Sequence, residues 1–157
     1  MTADAAIAIR PIGRVRSTRV ATGDDGWDAE QASIELDDAF EPDALAGLET
    51  FSHAEIFFVF DRVAEDAVER GARHPRGNPD WPRVGIFAQR GKDRPNRLGA
   101  TIVEIVSRSG RTLVVRGLDA VDGTPVVDIK PVMVEFLPRS AVRQPAWSQE
   151  LMRRYWS

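Results

Sequence analysis

Apolar and polar residues alternate from Ile7 to Val15, the period of two expected of a strand with one buried face. Ser17-Thr18 ends that run, and Thr22-Gly23-Asp24-Asp25-Gly26 has the chemistry of an exposed turn. Ala32 to Leu36 predicts a second, short strand. Asp43 to Leu48 predicts a helical turn opened by Pro42, because proline suits a helix start. Phe51 to Phe60 is the most apolar segment of the chain and reads as a strand covered on both faces. Glu65 to Arg70 predicts one more helical turn, and His74 to Pro79, with two prolines, a glycine and an asparagine, a loop. Arg83 to Phe87 resumes the β pattern before a second irregular stretch, Arg90 to Gly99. Ala100 to Val106 and Thr112 to Arg116 form a hairpin about Ser109-Gly110, Val121 to Thr124 is a turn into a strand at Val126 to Ile129, and Ser148 to Tyr155 is a last helix.

Many short strands at close spacing, without helical crossovers, predict a mainly β fold, a small β-barrel with short helices. With 157 residues and no linker composition, residues 1–157 read as one domain, with a core at about 7–138 and a short tail at 139–157. The absence of cysteine removes disulfides and thiolate chemistry and points to the cytoplasm. No apolar run approaches a membrane span, so no membrane partner is expected.

The net charge of −3 argues against a chain that is basic as a whole, yet basic residues cluster locally. Arg70, Arg73, Arg76, Arg83, Arg90, Lys92, Arg94 and Arg97 face only Asp80 and Asp93. That run is either a solvated surface or an anion site. Phosphate-binding Gly-rich loops, dinucleotide fingerprints and Gly-x-Ser-x-Gly elbows are all missing. Two histidines without cysteine give no metal site. Arg90 to Gly99 pairs two arginines with Pro95-Asn96, residues suited to clamping an anion and reading a polar edge. Asp122-Gly123-Thr124-Pro125 makes a turn at which a ligand can approach the backbone closely. Asp128 and Lys130 share one strand face, either as an ion pair or as chemistry. His53 is a rim histidine or a catalyst. Trp147, Tyr155 and Trp156 either form an interface or pack back on their own subunit.

In order and spacing, several segments resemble the TsaA-like family, also called YaeB-like or TrmO. They are Ile12 to Ser17, Gly47 to His53, Val59-Phe60, His74 to Gly77, Gly85 to Arg90, Arg94-Pro95-Asn96 with Gly99, Leu118-Asp119, and Asp122 to Pro131. The resemblance implies a small TsaA-like β-barrel, S-adenosyl-L-methionine as cofactor bound near a homodimer interface, and methylation at N6 of threonylcarbamoyladenosine in tRNA. It implies cofactor contacts from Asp61 and Arg62 beside Phe60, from Arg90, from Ala100 and from the turn Asp122, Gly123, Thr124 and Pro125. Arg94 and Asn96 would orient the acceptor, His53 or Asp128 would accept the proton, and Lys130 would balance charge. Arg97-Leu98-Gly99 replaces the family's Pro-Ile-Gly, Gly23 to Trp27 replaces an Arg-Gln-Pro-Gly-Leu-like loop, and Val132 replaces an aromatic residue. Longer members carry a further C-terminal region, so a small nucleotide-like acceptor or metabolite is the alternative to tRNA. A non-catalytic S-adenosylmethionine-binding module is the third reading.

Overall fold

The computed structural model describes residues 4–157. Six strands form a closed barrel: β1 (Gly13–Arg16), β2 (Gln31–Leu36), β3 (His53–Val59), β6 (Leu98–Ser109), β7 (Thr112–Arg116) and β8 (Pro125–Pro131). Around the barrel the order is β1-β2-β7-β6-β3-β8, and β8 returns to β1. Every pairing is antiparallel. A separate two-stranded ribbon joins β4 (Ala72–Arg73) to β5 (Val84–Gly85). Short 3-10 turns fill the connections, and one α-helix, α1 (Ala146–Met152), precedes the C-terminus. Among the described residues no helix is long and apolar enough to cross a membrane.

The interior follows from alternation. Val15, Ile34, Ile56, Phe58, Val103, Leu113, Val115 and Val126 point inward and are almost wholly buried. Closing the sheet on itself removes free edges, and it demands close approach at two glycines. A Cβ at Gly13 would lie 2.2 Å from the Glu35 carbonyl oxygen, and one at Gly99 would lie 2.5 Å from the Phe58 ring.

Four expectations change. The first strand covers only Gly13–Arg16, and Ile7 and Ile9 are exposed. Alternation alone does not make a strand there, because the β2 ladder stops at the Gly13–Leu36 pair. The segment at Phe51 to Phe60 is a strand at His53–Val59 with one buried face: Ala54, Ile56 and Phe58 are inside, whereas Glu55, Phe57 and Val59 are partly open. A barrel wall has one core, so its outer side stays wet. The β pattern at Arg83 to Phe87 shrinks to Val84–Gly85 and passes into a 3-10 turn at Ile86–Ala88. The terminal helix lies at Ala146–Met152.

Phe58 is the largest fully buried side chain and packs edge-on against Phe60 at 5.2 Å. Phe58→Ala is expected to cost about 3–5 kcal/mol in urea unfolding, whereas Val142→Ala, at an exposed position, should stay within about 0.5 kcal/mol of the parent.

Candidate functional site

Antiparallel pairing sends three long connections to one end of the barrel. β1 ends and β2 begins there, as do the end of β3 and the start of β6, and the end of β7 and the start of β8. The residue groups 17–30, 60–97 and 117–124 therefore share one mouth.

The turn Asp122 to Pro125 is built into the barrel seam. Gly123 (φ +83) donates its amide to Val15 O at 2.8 Å, and Val15 donates to Thr124 O at 2.9 Å. Asp122 Oδ1 accepts from the Ser17 amide at 3.0 Å, and Arg14 Nη1 donates to Gly123 O at 3.0 Å. Thr124 is buried, with Oγ1 donating to Val121 O at 2.7 Å, and Pro125 is also buried. Thr124 and Pro125 thus shape the turn, and Asp122 and Gly123 form its accessible edge. Arg62 bridges this turn to the β1–β2 connection, donating to Val20 O at 2.5 Å and to Asp122 O at 3.1 Å. Asp61 beside it is exposed.

Asp122 also lines an open depression of about 370 Å³ between Arg16, Ser17 and Thr18 on one wall and Gln31, Ala32 and Ser33 on the other. Ligand pockets begin at about 300 Å³.

Across the mouth, Arg90 Nη2 donates to Ala100 O at 2.6 Å. Arg94 Nη1 donates to Gln89 O at 2.6 Å, and Arg97 Nη1 donates to Val63 O at 2.7 Å. The clamp expected of Arg94 is therefore partly spent on shaping its own loop. Carbonyls are neutral acceptors, so the three guanidinium groups keep their positive charge. Asn96 and Arg97 both have left-handed backbones, φ 62° and 51°, a conformation that non-glycine residues adopt at a cost of order 1–3 kcal/mol. Bonds from Arg97 N to Arg94 O and from Phe60 N to Arg97 O hold that turn in place and present Asn96, exposed, at its tip.

Part of the basic run is neutralised. Arg73 pairs with Asp93 at 2.8 Å, Arg76 with Asp25 at 3.1 Å, and Arg70 with Glu65 at 3.4 Å. Of this run, Arg83, Arg90, Arg94 and Arg97 have no carboxylate partner among the described residues.

The remaining candidates lie on the barrel wall. His53 starts β3 opposite Glu104, whereas Val59 ends it opposite Leu98. Along β3, about 20 Å of strand lies between His53 and the Val59 end, although the stagger of the barrel sets His53 beside Glu104, the partner of Arg116 at the end of β7. Its Nδ1 is 2.6 Å from Ser52 Oγ. Asp128 and Lys130 pair with Phe57 and Glu55 and are exposed on the outer wall. Lys130 Nζ is 5.9 Å above the Phe57 ring. No ion pair joins Asp128 to Lys130 among the described residues. Arg94 and Asn96 lie on the mouth loop and His53, Asp128 and Lys130 on the barrel wall, where Asp128 and Ala100, the anchor of Arg90, flank the same residue, Phe57. Among the described residues no group of three or more His, Cys, Asp and Glu side chains could hold a metal ion.

Two residues at the mouth were not singled out as site residues by sequence reasoning. Asp119 Oδ1 accepts a hydrogen bond from Thr101 Oγ1, and Asp119 Oδ2 accepts one from the Tyr155 hydroxyl. Tyr155 thus packs back on its own chain. Asp119 carried a signal, standing three residues before Asp122; Tyr155 stood out only as one of three aromatics that form an interface or pack back, and nothing in the sequence linked it to Asp119, 36 residues away.

Comparison with known proteins matches residues 22–136 to the tRNA-methyltransferase O N-terminal domain. The chain is 39% identical over 129 residues to a probable S-adenosyl-L-methionine-binding protein of Archaeoglobus fulgidus, covering 80% of this chain and 34% of that one. It is 39% identical to another such protein of Methanothermobacter thermautotrophicus, covering 82% of this chain and 91% of that one. It is 43% identical over 106 residues to the tRNA (adenine(37)-N6)-methyltransferase of Escherichia coli, covering 62% of this chain and 44% of that one. A crystal structure of TrmO from Pseudomonas aeruginosa superposes with a TM-score of 0.71 at 28% identity, over 88% of this chain and 62% of that one. The chain thus spans about a third of the Archaeoglobus relative and under half of the Escherichia coli one.

Burial foremost, then the charge of Asp119 and the hydrogen bond to it, push the Tyr155 phenol above its ordinary 10.0, against a smaller opposite pull from Arg90 and Arg76. The folded state therefore holds this proton more tightly than the unfolded one. The stabilisation is fully present below pH 10 and is lost as pH rises beyond that value. Tyr155 is the only tyrosine of the chain, so tyrosinate absorbance reports it alone. The native protein should show no tyrosinate as pH passes through 10, and the urea-unfolded protein should ionise there; coincident titration curves would contradict the Asp119 contact.

Proposed function

We propose that this chain, which belongs to the tRNA-methyltransferase O N-terminal domain family, binds S-adenosyl-L-methionine at the barrel mouth and transfers its methyl group to an adenosine of tRNA. The observation that carries the reading is convergence. Arg62 ties the Asp122 turn to Val20, and Arg90 is tied to Ala100 of β6, so that all three connections and a strand meet at the same end of the barrel. The donor set also suits the ligand. Asp61, Asp119 and Asp122 offer carboxylates to a sulfonium, an ammonium or ribose hydroxyls, and Arg90 offers a cation to a carboxylate.

Bound there, S-adenosylmethionine supplies a methyl group already activated on a positive sulfur. The chain then has to orient the acceptor and take up a proton. Asn96, exposed on its constrained turn, is placed to read a base edge, and Arg94 and Arg97 stiffen that turn while attracting phosphate. The finer assignment, to N6 of threonylcarbamoyladenosine next to the anticodon, follows the family resemblance. A cytoplasmic location, where tRNA is found, goes with that assignment.

A homodimer completes the reading. Met133, Val134, Phe136 and Leu137, which follow β8, are exposed, as are Ile102 and Val106 on the outer wall. Val132 N donates to His53 O, which sets this apolar segment beside His53 and the outer face that carries Asp128 and Lys130. Exposed apolar patches of this kind mark interaction surfaces. A second copy covering the patch would bring His53, Asp128 and Lys130 to the interface, where one of the first two would serve as proton acceptor.

A small nucleotide-like acceptor is the second reading, favoured by the neutralisation of Arg70, Arg73 and Arg76. Calorimetric titration should show S-adenosylmethionine binding that falls at least about ten-fold in Arg90→Ala and in Asp122→Ala; no binding by the parent protein would sink the function. Affinity for bulk tRNA should fall steeply with added salt as phosphate counterions are released, and a flat response would favour the small acceptor. Sedimentation should give a dimer that Phe136→Asp converts to monomer, while a parent protein that is monomeric at high concentration would exclude the interface.

A further inference from the structure

The C-terminal tail is fastened across the mouth at three levels. Main-chain amides of Gly26, Trp27 and Asp28 donate to the carbonyls of Arg154, Tyr155 and Trp156 at 3.2, 3.0 and 2.9 Å. Trp27 is buried, with the Arg19 guanidinium 3.5 Å above its ring. On α1, Glu150 accepts from Trp81 Nε1 at 2.9 Å. These contacts fix where the Tyr155 ring sits, and the ring stacks edge-on against Trp156 at 4.9 Å.

From that position the phenol reaches Asp119, whose other oxygen is held by Thr101. Thr101 follows Ala100, the residue whose carbonyl anchors Arg90, and Asp119 precedes the Asp122 turn. The carboxylate therefore stands between the two limbs of the mouth. Both its donors are neutral hydroxyls. They orient the group without cancelling its charge, as a guanidinium would. A carboxylate has about four acceptor positions, so capacity remains after Thr101 and Tyr155 have taken theirs.

We propose that Tyr155 is a positioning residue for the cofactor: delivered by the C-terminal tail, its hydroxyl holds the Asp119 carboxylate as a fixed acceptor for the hydroxyl or ammonium donors of S-adenosylmethionine. The proposal rests on the reading of the mouth as a cofactor site and adds the tail to it. The tail is then part of the binding site, and a chain shortened before Tyr155 loses affinity even though its barrel is intact.

The test is calorimetric titration of S-adenosylmethionine into the parent protein, Tyr155→Phe, Asp119→Asn and the double variant. Phenylalanine keeps the ring against Trp156 and removes only the hydroxyl. Each single change should weaken binding about ten-fold, and the double variant should bind no more weakly than Asp119→Asn alone, because the two residues act as one unit. Thr101→Val removes the other donor without touching the tail and should also weaken binding. A ligand-free readout accompanies these: tyrosinate absorbance in Asp119→Asn should appear at lower pH than in the parent. Parent-like affinity in Tyr155→Phe, or additive losses in the double variant, overturns this proposal alone. Absence of binding by the parent protein overturns the cofactor site and the proposal with it.

Discussion

The seam between β1 and β8 closes the barrel through only two register pairs, Gly13 with Val126 and Arg14 with Pro125. Strands of a closed barrel must pair all round, or an edge is left open to water and to other chains. The short seam is extended by the turn that follows it at the mouth: Val15 donates to Thr124, Gly123 donates to Val15, and Ser17 donates to Asp122. The hydrogen bonds that complete the barrel are thus the ones that fix the Asp122 turn. The geometry of the mouth and barrel closure depend on the same few groups, and a change at this seam would be felt in both.

Electrostatics at the mouth follow from how its charges are partnered. Arg90, Arg94 and Arg97 spend hydrogen bonds on carbonyls, which shapes the loops while leaving the charge in place. Asp119 is held by two neutral hydroxyls, those of Thr101 and Tyr155. Arg73, Arg76 and Arg70 are paired with carboxylates and serve the architecture. A ligand carrying both a cationic sulfur and a carboxylate finds both signs of charge within one opening. The outer wall has a different character, with exposed apolar side chains beyond β8 and isolated polar groups at His53, Asp128 and Lys130.

Much of this was legible from residue order. The period-two runs at Ala32 to Leu36, Ala100 to Val106 and Thr112 to Arg116 are strands, because alternation is a local consequence of the pleat. Turn chemistry located Ser109-Gly110 and Asp122 to Thr124, since positive φ selects glycine or asparagine wherever the chain must reverse. The prominence of the Arg94 to Asn96 loop and of the Asp122 turn was likewise written into residue types.

What the sequence determined by itself was therefore the mainly β class, the strand faces and the loops rich in polar chemistry, all properties set by neighbours a few positions apart. Only the tertiary structure decided that Ile7 and Ile9 lie outside the sheet, that β3 has a single buried face, and that His53, Asp128 and Lys130 stand on the barrel wall and not on the loops of the mouth. It alone decided that Tyr155 reaches Asp119. Each of these depends on which strands end where and on hydrogen bonds between groups tens of residues apart, and such partners leave no trace in local spacing.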